Sequence, residues 1–115
     1  MSATPPGQIG HLHRPITEDW LREHEFRLSG ERNDGRHHVR RLAVATEGID
    51  GRQMFESPDD LCIDVAKSFQ DNGQWHVWIQ QIEPYRTIHV RHMRYTWEIA
   101  RLYEGLTGVV WPGTL

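Results

Sequence analysis

At 115 residues and a net charge of −3, the chain has room for one domain with a single modest core, and it is not basic enough overall to announce nucleic-acid binding. Hydrophobic residues make up 37% and five tryptophans are present, which excludes a disordered chain, because large apolar side chains offset the entropy of folding. No apolar run approaches the roughly 18 residues of a membrane span, and a lone cysteine, Cys62, excludes an internal disulfide and a cysteine-based zinc site and fits a reducing cytoplasm.

The opening "MSATPPGQIGHLHRP" lacks a charged n-region followed by an apolar core, so residues 1–15 read as a flexible tail and 16–115 as the domain. In "PITEDWLREHEF" the spacing predicts a short helix. Thr17 is its cap, Glu18 and Asp19 suit the positive end of the dipole, and Trp20 and Leu21 face inward. "RNDG", Arg32 to Gly35, is a hairpin turn signal, and His38 to Thr46 follows as a strand. "EGIDGRQMFESPDD" reads as a polar connection.

Two strands are expected in "LCIDVAKSFQDNGQWHVWIQQI", where Leu61, Ile63, Val65 and Phe69, then Trp75, Val77 and Ile79, alternate with polar or smaller residues. A three-residue loop, Asp71 to Gly73, sets Phe69 opposite Trp75 and Val65 opposite Ile79 and keeps one face apolar, with Gly73 left-handed. The other face then pairs Ser68 with His76, Ala66 with Trp78, Asp64 with Gln80 and Cys62 with Ile82. It is mostly polar but carries Trp78.

Near the end, "RTIHVRHMRYTWEIARLYEGLTG" carries four arginines and two histidines in and before an amphipathic helix. Tyr95, Ile99, Leu102 and Leu106 form its apolar stripe, widened by Tyr103. Arg94, Glu98 and Arg101 pair on the wet side, and Gly108 ends the helix. Arg86, His89 and Arg91 have no structural explanation in this scheme. The segment "VVWPG" beyond the helix either folds Trp111 back onto the core or exposes an apolar patch that favours self-association.

Ile16, Thr17, Glu18, Trp20, Leu21 and Phe26 at the start, and Leu102, Leu106, Thr107 and Gly108 at the end, resemble short uncharacterised proteins of phages and prophages. Those proteins open on an "ITEEWL"-type helix and close on a helix of the form "VHxLQxLxxxLTG". Val90, Arg91 and His92 echo the valine-histidine pair only loosely, and the leucine-glutamine step is absent. The resemblance implies a small α+β domain from a mobile element, located in the cytoplasm of a bacterial host, and it brings no catalytic residues.

No reaction is named by the sequence. Cys62 falls inside an expected strand, Asp59 and Asp60 read as a turn or cap, and no glycine-rich phosphate loop is present. The histidine pairs His11 and His13, His37 and His38, and His89 and His92 lack a cysteine to support them, so no metal and no cofactor is assigned. Nucleic-acid binding would rest on "RHHVRR", Arg36 to Arg41, with Arg86, Arg91, Arg94, Trp78 and Tyr85, but alternation sends Arg40 and Arg41 to opposite faces.

The expected fold is therefore α+β: a short N-terminal helix, an antiparallel sheet of three or four strands, and a C-terminal amphipathic helix packed on one face. The expected function is that of a non-enzymatic phage- or prophage-encoded accessory protein. It would bind a host protein, and inhibition of a host defence or regulatory complex is the candidate role. Trp78, Tyr85, Arg86, His89, Arg91 and Trp111 are the candidate partner-binding residues, since exposed aromatics and arginine dominate interface hot spots. A small nucleic-acid-binding module using an Arg/aromatic face is the alternative, and no membrane partner is expected.

Overall fold

A computed structural model describes residues 13–32, 35–47, 53–56, 60–67, 73–81 and 85–115. In chain order the elements are helix α1 (Glu18–Glu23), strands β1 (Arg27–Arg32), β2 (Gly35–Arg41), β3 (Val44–Glu47), β4 (Gln53–Glu56), β5 (Cys62–Lys67), β6 (Trp75–Gln81) and β7 (Arg86–Met93), and helix α2 (Thr96–Thr107). Five strands form an antiparallel sheet in the order β1-β2-β5-β6-β7, and β3 pairs with β4 in a separate ribbon. The architecture is α+β with a larger sheet than the sequence suggested. The expected strand from His38 to Thr46 breaks at Leu42, whose side chain is buried and whose N–H bonds to the Leu61 carbonyl. Residues read as a polar connection supply β4, and the stretch before the last helix is an eight-residue strand.

One face of the sheet carries the core. Ile63, Val65 and Val77 are fully buried there and pack in one cluster with Trp20 and Leu21 of α1 and Ile99, Ala100 and Tyr103 of α2. Thr17 caps α1, its hydroxyl accepting from the Trp20 N–H at 3.1 Å. Residues 13–15, expected in the tail, lie against the β7–α2 junction instead. Pro15 bridges to Tyr95, the Ile16 N–H donates to the Arg94 carbonyl, and the Thr96 N–H donates to the Arg14 carbonyl.

The buried stripe of α2 is Thr96, Ile99, Ala100, Tyr103 and Thr107, with Leu102 and Leu106 at its margin, so the helix sits rotated by about one position from the expected stripe. Gly108 closes it in the left-handed conformation, φ 71, where a side chain would be strained.

The apolar face of the β5–β6 pair follows the alternation, but the register differs. Val65 faces Val77 and Asp64 faces Trp78, two residues from the expected pairing. A slip of two preserves which face each side chain occupies, so alternation alone could not discriminate between these registers. Gly73 has φ 86, as the turn reading expected, while Phe69 and Asp71 to Asn72 of that turn lie outside the described residues, as do Ser68 and Ile82.

Candidate functional site

The face of the sheet away from the helices bears a run of aromatic and polar side chains. His37 and Asp64 lie on β2 and β5, His76, Trp78 and Gln80 on β6, and His89 and His92 on β7. The register explains how they meet. His76 is opposite His92 and Trp78 is opposite His89, whereas Val77 is opposite Arg91. Val90 is thus an extra residue in β7, a β-bulge between the two pairs. Residues three apart in a regular strand point to opposite faces; the bulge turns His89 and His92 to the same one.

The side chains then form a continuous stack. His37 lies against Trp78 at 5.3 Å between ring centroids and His76 lies on Trp78 at 5.5 Å. His89 contacts Trp78 and His76, and the His76 and His92 rings meet edge to face at 4.1 Å. His92 Nε2 and His76 Nδ1 share a hydrogen bond of 2.8 Å, and one ligand-capable atom from each of His76, His89 and His92 lies within 4.8 Å of the others. His76 is half-buried, and His89 and His92 are exposed.

Asp64 anchors the inner end. It is 1% exposed, and because a carboxylate only accepts, His37 donates from Nδ1 to its two oxygens at 2.9 and 3.0 Å. Gln80 adds a bond from Nε2 at 2.6 Å. This fixes the His37 tautomer and presents its ring to Trp78. Next to Asp64, Cys62 is buried and donates to the Asp60 carbonyl, and burial pushes its thiol pKa up, which makes it a poor nucleophile.

The six sequence-derived partner residues do not share one surface. Trp78 and His89 lie together on the open face. Tyr85 stands exposed where β7 begins, while Arg86 and Arg91 align with Gln81 and Val77 and so belong to the helix side. Arg91 does not pair outward: it contacts Glu98 at 2.6 Å. Glu98 also accepts from the Arg94 and Tyr95 N–H groups, capping α2, in place of the expected pairing with Arg94 and Arg101 across the wet side. Burial alone would raise the Glu98 pKa, but these backbone donors and the Arg91 guanidinium together lower it.

Trp111 is buried. It stacks on Trp20 and His24, meets Tyr103 edge-on, and lies under the Arg40 guanidinium. Trp20 further ties the C-terminus down by donating from its indole to the Thr114 carbonyl. Trp111 therefore serves the core, because the chain after Gly108 turns back over α1.

The arginines of "RHHVRR" are each engaged with a carboxylate: Arg36 with Glu18, Arg40 with Glu25 and Arg41 with Asp60. No known family, curated protein or solved structure matches the chain. Sequence reasoning placed Trp78 and His76 on one polar face but did not join His89 and His92 to them. Read only as the approach to a helix, residues 86–93 conceal a strand, and no local pattern marks the bulge.

Proposed function

We propose that this is a non-enzymatic binding protein that engages a partner protein along β7. The observation that carries the reading is that, among the described residues, β7 is the last strand of the sheet and pairs only with β6, and that Ile88 within it and Tyr85 just before it are 61% and 65% exposed. An uncovered edge offers a row of backbone donors and acceptors to an extended segment of another chain, and flanking apolar side chains supply specificity. Phage or prophage origin, and a bacterial host protein as target with inhibition of a defence or regulatory complex as outcome, rest on the resemblance of the opening and closing motifs. The nucleic-acid alternative is weaker, because the arginines are divided between faces and several are occupied by carboxylates.

The test is affinity capture from a bacterial extract, followed by measurement of the recovered protein against Ile88→Lys and Tyr85→Ala variants. Loss of binding with unchanged folding supports edge pairing, since a lysine on an edge strand opposes strand addition. Binding that survives both substitutions refutes it. Steep weakening with salt, together with nuclease-sensitive absorbance, would point to nucleic acid instead.

A further inference from the structure

We infer that His76, His89 and His92 form a binding site for a late first-row divalent metal ion, with zinc as the representative. The site does not depend on partner pairing along β7.

Three imidazoles converge here from two strands, and they do so only because Val90 is bulged out of register. Strand pairing sets the backbone beneath each ring, so the site does not depend on a loop for its shape. The stacked Trp78 ring bounds one side, contacting both His76 and His89. The donor set is nitrogen only, which suits zinc, copper(II) or nickel and disfavours magnesium and calcium, whose ligands are oxygens.

The distances fit with small rotations. Zinc–nitrogen bonds of about 2.0–2.1 Å in a tetrahedron place ligand nitrogens roughly 3.3 Å apart. His92 Nε2 and His76 Nδ1 are 2.8 Å apart and the whole set is within 4.8 Å, so one pair opens slightly and His89 swings inward. The proton balance is simple. Without metal, one ring of the His76–His92 pair donates to the other. With metal, both facing nitrogens offer lone pairs, and the donating ring carries its proton on its outer nitrogen. No oxidant or co-reactant is needed. Three protein ligands on a partly open face leave a further coordination position for water or for a donor from a bound partner.

The experiment is a zinc titration of the full chain, without an affinity tag, by calorimetry at neutral pH. One equivalent is expected. His89→Ala and His92→Ala should each weaken it by roughly tenfold or more, since even changes to groups that only support a ligand cost about that much. His11→Ala with His13→Ala should leave it unchanged. Both mutated ring positions are exposed, so unfolding midpoints should hold, which separates ligand loss from misfolding. In the unmutated protein, cobalt(II) should shift or broaden the ring resonances of His76, His89 and His92 first. Absence of saturable zinc binding, binding that survives the double substitution His89→Ala and His92→Ala, or cobalt effects centred elsewhere would each overturn the site. The Ile88→Lys variant, which tests partner binding, should bind zinc normally.

Discussion

Truncating Asp64 to alanine removes a buried acceptor from the middle strand of the sheet, one to which His37 and Gln80 both donate. Gln80 is half-buried and can turn toward water, so its loss is small. His37 cannot, because its side chain is 3% exposed and its Nδ1–H is aimed at the vacated position. An orphaned buried donor costs about 1–3 kcal/mol. Removing a buried carboxylate also removes its desolvation penalty, which offsets part of that cost. The expected net loss is about 2 kcal/mol. For a domain of this size that lowers the melting temperature by roughly 8 °C. Asp64→Asn should lose about half as much, because the amide oxygen still accepts from His37 while the Gln80 amide can flip to match the new NH2 group. Urea unfolding followed by tryptophan fluorescence measures both variants, with thermal melts as a check. If Asp64→Ala stays within about 0.5 kcal/mol of the unmutated chain, the bond network does not hold this face together and the reasoning fails.

Four further outcomes follow from the core and its charged groups. Trp111→Ala should destabilise by about 3–5 kcal/mol, the range for deleting a buried tryptophan, while partner binding along β7 persists below the melting transition. A stable variant that has lost partner binding would return Trp111 to the interface. Glu98 has a folded pKa below its ordinary 4.5, so its contribution is fully present above pH 4.5 and disappears as pH falls through the folded value; Glu98→Gln should flatten that part of a stability–pH curve. His38 behaves alike in direction for a different cause. Burial lowers its pKa from 6.5 despite the nearby Glu18, so protonation opposes folding and stability falls as pH drops below 6.5; His38→Gln should lessen that slope, read from urea midpoints across pH. Gly113→Ala places a methyl group 2.6 Å from the His24 ring, which is held by Trp20 and Trp111. The variant should lose about 1–3 kcal/mol, and a neutral result in a thermal melt would show that the C-terminal segment yields.

The sequence by itself determined the features that depend on neighbours within a few residues. Thr17 capping α1, the inward Trp20 and Leu21, the alternation that buries Ile63, Val65 and Val77 on one face, and Gly108 ending α2 all follow from local periodicity and capping chemistry. Tertiary structure decided whatever depends on pairing between distant residues. The β5–β6 register is one such case, since an even slip preserves both faces. Glu98 is another: Arg91 and the Tyr95 N–H reach it because the chain turns from strand into helix between them, whereas a helix starting earlier would have offered Arg94. The histidines show the dependence most plainly. Spacing of three suggests one side of a helix and, in a regular strand, opposite faces of a sheet. Only the pairing of Val77 with Arg91 and Trp78 with His89 leaves Val90 unopposed and brings His89 and His92 beside His76.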